Sequence, residues 1–434
     1  MTDVTVSKTE QLKGEVCAPA SKAYTQRMLI ASALASGKSR ISGPLCSDDT
    51  EATLRAIIAL GAKVSPESDC WTVDGTETLK AAAEPIDCGE SGATSRFMIP
   101  VAALASKPTV FVFGNGLAKR PIEPLLFGLR ELGAEAVPQK VGDKQGILVK
   151  GGGLKGGETS LPGDVSSQFV SGLMFACPLA RADTDLTITS PLESRLYVKM
   201  TQSVLAEHGV KVDISEDYRH IHISSGQKYM PHDGKVPGDF SSAAFLLAAA
   251  AIAKSEVRVK NLDYRTVQGD KVILGILKKM GVDGNVCLDS VQITGDGGLL
   301  EPVNVDAREI PDLVPVCVAL ACFASGVSKI HDARRLRLKE SDRLTSIYLE
   351  LRKMGADIAM DEDSLVVKGP SRLFSAVIDP RNDHRIAMAC AVAALRAEGE
   401  TVIQRAECVR KSYPQFFNDL RALGVDVVGW KFDR

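Results

Sequence analysis

The sequence contains ten cysteines, yet none of them stands in a CxxC or CxxH spacing. Its six histidines show no metal-ligand spacing either, so the usual zinc and dithiol motifs are missing. Most of the cysteines sit in apolar company: Cys177 in MFACPLA, Cys317 and Cys322 in VCVALACF, Cys390 in MACAVA. These read as buried, reduced thiols of a cytoplasmic protein. His220 and His222 alternate in HIHIS, as one face of a strand does. Charge of one sign is lacking too: the formal net charge is −2 over 434 residues. Nothing global therefore points to nucleic acid or a membrane surface, and any anion site must be local. No apolar run reaches the roughly 18 residues of a membrane span. The opening MTDVTVSKTEQLKGEV is polar and acidic, and predicts no signal peptide.

What the chain does have is a repeat. A polar or turn signal, an Ala-rich apolar stretch, a turn and a β-branched run recur six times, from Ser21, Ser91, Ser166, Ser241, Ile310 and Asn382. Each is followed by an amphipathic stretch ending in glycine, at Gly61, Gly133, Gly209, Gly281, Gly355 and Gly424. Equivalent positions return every 69 to 76 residues, a period that marks a repeat architecture. Glycine suits a helix end because it adopts positive φ without steric cost. The first helix of each copy is apolar all round and should be buried; the second carries charge on one face and should lie outside. With the strand signals around them, each copy reads βαβαββ, and three copies could close around their buried helices.

Two three-copy halves follow. The expected division is 16–232 for the first and 1–15 with 233–434 for the second, with a turn-rich junction over 230–239. The last copy ends one strand early, and the N-terminal DVTVS is expected to supply that strand.

Five of the six buried helices open with residues suited to N-caps or anion contact: SK, SG, SS, SS and ND. A helix start exposes unpaired N–H groups and the positive end of the dipole, worth about 0.3–1 kcal/mol toward an anion. Basic residues stand at or near these starts: Lys22, Arg27, Arg96, His384 and Arg385. Others follow the β-branched runs: Arg120, Arg195, Lys339, Arg343 and Lys411. A lone Arg at a helix start is ordinarily a solvated or capping residue. Recurrence at equivalent places in several copies argues instead for a site that takes small, multiply anionic substrates. Two acids interrupt the pattern, Asp312 in EIPD and Glu340 in KESDR. Each reads either as an ion-pair member or as a general acid/base tuned by the charge around it.

The motifs SKAYTQR, ESGATSR, RPIEP, DVSSQF, IPD, KESDR, NDHRIAMA and RKSYP together resemble those of the 5-enolpyruvylshikimate-3-phosphate synthase (3-phosphoshikimate 1-carboxyvinyltransferase) family, over essentially the whole chain. The resemblance implies an α/β fold of two inside-out domains, each of three βαβαββ units with buried parallel helices. It implies transfer of the enolpyruvyl group of phosphoenolpyruvate to the 5-hydroxyl of shikimate 3-phosphate, with release of phosphate through a tetrahedral intermediate. That reaction is a step of the shikimate pathway, toward chorismate and the aromatic amino acids. It implies no metal and no organic cofactor, and as partners only the two small-molecule substrates: no nucleic acid, no membrane, a monomer.

The same resemblance assigns residues. Ser21, Lys22, Arg27, Ser166, Ser167, Gln168, Ser194, Tyr197, Asp312 and Lys339 would contact shikimate 3-phosphate. Lys22, Gly92, Arg120, Gln168, Arg343, Arg385 and Lys411 would contact phosphoenolpyruvate. Asp312 would take the 5-hydroxyl proton, Glu340 would protonate C3 of phosphoenolpyruvate, and Lys22 would assist. With contacts in both halves, substrate-driven closure is expected. Three positions depart from the family's pattern: Ala23 replaces a usual serine, Arg195 a usual lysine, and Glu90-Ser91-Gly92-Ala93 a usual N-(A/S)-G-T. Glu90 is expected to turn away from the site or to pair with a basic residue such as Arg120. Gly92, where a larger residue would hinder glyphosate, argues for sensitivity to that inhibitor.

Two other readings are weaker. The sister transferase acting on UDP-N-acetylglucosamine lacks KESDR, NDHR and the SSQ start. A non-catalytic ring of repeats around nucleic acid would spread its basic charge along a surface.

Overall fold

The computed structural model describes residues 2–67 and 69–431. The chain divides into two compact units, Ser21–Val236 and Met1–Ala20 together with Pro237–Arg434. Among the described residues, each unit contains three four-stranded sheets and three inner helices. The inner helices are Lys22–Leu34, Gly92–Ala102 and Ser167–Ala176 in the first unit. In the second they are Phe240–Ile252, Val314–Ala321 and His384–Ala394. Every residue of Phe240–Ile252 is buried. Such a helix has no solvent face because its sequence, FSSAAFLLAAAAI, offers none, and its alanines let neighbours approach closely.

The outer helices keep one wet face. Arg343–Lys353 buries Arg343, Leu344, Ile347 and Leu351, at three- and four-residue intervals. All six outer helices are followed by a glycine in the left-handed region, with φ of 114° at Gly61 and 77° at Gly209 as the extremes. A side chain would strain the backbone there. Gly172 has a different duty. A Cβ on it would run into the Arg96 carbonyl, so its bare backbone sets how closely the second and third inner helices approach.

The six sheets share one plan. A leading strand runs parallel to the strand after the inner helix, and that strand is antiparallel to the last of the unit. Two copies borrow their leading strand. Gly234–Lys235 pairs in parallel with Lys38–Ser42 and completes the first copy. Gln11–Cys17 pairs in parallel with Lys254–Lys260 and completes the fourth. Val4–Ser7 lies between Glu400–Ile403 and Val427–Val428, where the sixth copy lacks a strand of its own. The chain therefore passes from one unit to the other twice, after Ala20 and after Val236. Both passages follow directly on a borrowed strand.

No helix among the described residues is long and apolar enough to cross a membrane. Each of the ten cysteines is a thiol, not part of a disulfide. Burial pushes the Cys177, Cys317 and Cys322 thiols up to about 12, which leaves them protonated and inert.

Candidate active site

In the unit Ser21–Val236, buried polar contacts tie the three inner-helix starts together. Ser21, Ser91 and Ser166 are the N-caps, accepting from the amides of Tyr24, Thr94 and Gln168. Gln26 Nε2 joins the first start to the second, donating to Thr53 Oγ1 at 2.9 Å and to Ser91 Oγ at 3.3 Å. Arg96 joins the second to the third: its Nη1 lies 2.7 Å from Gln168 Oε1. Arg96 is thus the direct partner of Gln168, a role its position at a helix start hinted at but did not define.

Lys22 Nζ is 2.9 Å from Asp49 Oδ2. Arg27 is buried, with its guanidinium donating to Thr201 Oγ1 at 2.8 Å, the Ala23 carbonyl at 2.9 Å and the Tyr197 carbonyl at 3.2 Å. Burial lowers its pKa to about 10, so it stays cationic at neutral pH. Its guanidinium also lies over the Phe97 and Tyr197 rings. Arg27 therefore fixes Tyr197 and the helix beginning at Arg195. Ser167 is buried in the first turn of its helix. Ser194 precedes the outer helix with φ of 56°, a conformation that non-glycine residues hold only when neighbours compensate. Arg195 lies over the Tyr218 ring, 5.8 Å from its centroid.

Glu90 turns to backbone rather than to a basic side chain. Its carboxylate accepts from the amides of Gly116, at 3.0 Å, and Leu117, at 2.6 Å. It thereby pins the turn Leu117–Lys119 that carries Arg120. A Cβ on Gly92 would lie 2.8 Å from Arg120 Nη1 and 3.1 Å from Arg96 Nη1. Only glycine lets both guanidiniums come that close to this helix start.

In the other unit, acids and bases interlock. Asp312 lies just before the fifth inner helix, with Oδ1 2.9 Å from Arg343 Nη1 and Oδ2 3.0 Å from Arg385 Nη2. Lys339 Nζ stands 4.0 Å away. Glu340 Oε2 accepts from Arg343 Nη2 at 2.6 Å. Asp383 caps the sixth inner helix through the Arg385 amide, and its Oδ2 accepts from Arg343 Nε at 2.9 Å. Lys411 Nζ donates to the Asn382 carbonyl at 2.6 Å.

The electrostatics follow from this packing. Burial would raise the Asp312 carboxyl, but Arg385, Lys339 and Arg343 overcome it and hold the group well below the usual carboxylate range. Burial lowers Lys339 to about 7, against the pull of Asp312. Asp270, fully buried, is raised to about 7 by burial and by the charge of Asp312. It accepts from Ser241 Oγ at the start of the fourth inner helix.

The fourth start differs from the expectation based on its serines. Its cap is Asp239, which accepts from the Ser242 amide at 2.9 Å, while Ser241 is turned to Asp270. The fifth inner helix has no side-chain cap. Asp383 was legible as part of a helix-opening ND pair. Asp270 carries no local signal, because its partners lie far away in sequence.

Four-stranded sheets over buried helices, six times repeated, are the architecture of the enolpyruvyl transferases. The enolpyruvyl transferase NikO from Streptomyces tendae shares it at a TM-score of 0.78 and 19% identity, with 98% of each chain covered. A solved EPSP synthase from Acinetobacter baumannii matches at a TM-score of 0.81 and 26% identity, over 98% of this chain and 100% of that one. The 3-phosphoshikimate 1-carboxyvinyltransferase of Methanocaldococcus jannaschii is 40% identical over 425 residues, 97% of this chain and 98% of the relative. The profile of the EPSP synthase (3-phosphoshikimate 1-carboxyvinyltransferase) family matches residues 6–420. The chain belongs to the EPSP synthase family.

Proposed function

We infer that the protein transfers the enolpyruvyl group of phosphoenolpyruvate to the 5-hydroxyl of shikimate 3-phosphate, releasing phosphate, as a step of the shikimate pathway. The observation that carries this reading is Asp312 held between Arg343 and Arg385, with Glu340 on the same Arg343. Two carboxylates are thereby fixed beside cations suited to a substrate that carries both a phosphate and a carboxylate.

The chemistry needs one proton moved from the 5-hydroxyl and one moved to and from C3. Asp312 takes the hydroxyl proton as the oxygen attacks C2 of phosphoenolpyruvate, and Glu340 in its carboxylic-acid form gives its proton to C3. A tetrahedral ketal phosphate results. Glu340 then recovers the C3 proton, the C2–O bond to phosphate breaks, the double bond re-forms, and the departing phosphate carries off the proton that Asp312 took. Arg120, Arg343, Arg385 and Lys411 hold phosphoenolpyruvate, with Gly92 leaving room for Arg120. Ser21, Arg27, Ser166, Ser167, Ser194, Tyr197 and Lys339 serve shikimate 3-phosphate, while Lys22 and Gln168 serve both substrates. Asp312 is a poor base while two guanidiniums neutralise it. An incoming phosphate and carboxylate compete for those guanidiniums, so substrate binding raises the basicity of Asp312 at the moment it is needed.

The test is phosphate release from phosphoenolpyruvate with and without shikimate 3-phosphate. Release that ignores shikimate 3-phosphate would sink the reading. Asp312→Ala and Glu340→Gln should each lower kcat by about a hundredfold or more, as loss of general acid/base groups does.

A further inference from the structure

Glu350 lies on the outer helix Arg343–Lys353, two turns beyond Arg343, and has no exposed side-chain surface. Its carboxylate is fully engaged. Oε2 accepts from Lys353 Nζ at 2.7 Å and from the Asp379 amide at 3.1 Å, and Oε1 accepts from Arg381 Nη1 at 2.9 Å. Two of these partners belong to the segment that leads into the sixth inner helix.

That segment is strained. Arg381 and Asn382 both adopt left-handed backbone, with φ of 51° and 59°. Side chains rarely hold such a pair unless the surroundings impose it. Asp379 assists by accepting from the Arg381 amide at 2.9 Å and from Arg405. The strained turn aims two groups. The Asn382 carbonyl receives Lys411 Nζ, and Asp383, next in the chain, receives Arg343. A turn relaxed to ordinary backbone would point the carbonyl elsewhere and shift the helix start.

We propose that Glu350 is a positioning residue for the anion site: by holding 379–381 it enforces the left-handed turn that places Lys411 and the Asp383–Arg343 pair. The inference rests on the reading that Lys411 and Arg343 receive phosphoenolpyruvate.

The experiment is steady-state kinetics of Glu350→Gln, which keeps the volume but loses the charge that engages three donors. KM for phosphoenolpyruvate should rise about tenfold, with KM for shikimate 3-phosphate changed by less than about twofold and kcat changed less than KM, the pattern of lost substrate binding. Lys411→Met should raise the same KM, and the double variant should add little to it, since the two residues act in one chain. Arg381→Ala, which leaves Lys353 on Glu350, should behave like Glu350→Gln and serves if that variant does not fold. An unchanged KM for phosphoenolpyruvate with only a lowered Tm would overturn the proposal, as would effects of Glu350→Gln and Lys411→Met that multiply. If the wild type shows no turnover dependent on shikimate 3-phosphate, the assigned reaction fails instead. The affinity of the same variants for phosphoenolpyruvate, measured by calorimetry, then decides the role of Glu350.

Discussion

Arg343 Nε donates to Asp383 Oδ2 at 2.9 Å, and neither side chain has more than 1% of its surface exposed. This pair joins the start of an outer helix to the cap of the sixth inner helix. Burial alone would make the guanidinium easier to deprotonate, but Asp383, Glu340 and Asp312 outweigh it and raise its pKa. Arg343 is the hub of three carboxylates as well as a proposed ligand for substrate.

Replacing Arg343 by Met should therefore cost more than activity. Three carboxylates lose their common cation, and breaking a buried pair costs about 3–5 kcal/mol. Urea denaturation should show a loss of that size, with the slope unchanged. A stability equal to wild type would mean that the acids find other partners.

Gly92→Ala tests the crowding at the second helix start. The new Cβ would lie 2.8 Å from Arg120 Nη1, so the guanidinium must move. KM for phosphoenolpyruvate should rise by about tenfold, a size in keeping with small displacements of positioning groups. Tm should stay within a few degrees of wild type, because the clash is with a side-chain end. A KM unaffected by the change would argue that Arg120 does not touch that substrate.

Lys339, held to about 7 by burial, is mostly neutral at about pH 8 in the free enzyme. An arriving phosphate favours the ammonium form, so shikimate 3-phosphate should bind with uptake of protons at about pH 8 and with much less at about pH 6. Calorimetry in buffers of different ionisation enthalpy reads this directly. Lys339→Met should abolish the uptake; if it persists, another group is the source.

Asp270 sets a pH dependence of stability. Its folded pKa, raised to about 7 by burial and by Asp312, exceeds the roughly 3.9 of an unfolded chain. Between those values the folded state keeps a proton that the unfolded state has lost, so the contribution to stability falls as pH rises from about 4 to 7. Asp270→Asn should flatten Tm over that window. The same slope in the variant would assign it to other groups.

Much of this arrangement was legible one residue at a time. The periodic glycines announced six helix ends, and all six adopt positive φ. The alanine-rich stretches announced buried helices because they offer no polar face. Ser21, Ser91 and Ser166 were readable as caps, since a cap acts on amides within the next turn. Asp239 was harder: two serines follow it closely, and only the position of Asp270 shows why Ser241 turns away.

By itself the sequence determined the repeat, the glycine-marked helix ends and the concentration of cations at helix starts, all of which depend on neighbours a few residues apart. Tertiary structure decided which strand completes which sheet, because pairing of Gln11–Cys17 with Lys254–Lys260 and of Gly234–Lys235 with Lys38–Ser42 joins distant segments. It also decided the partners of Arg343, Asp270 and Glu350. A buried charge is satisfied by whatever the fold brings within about 3 Å, and no local pattern records that choice.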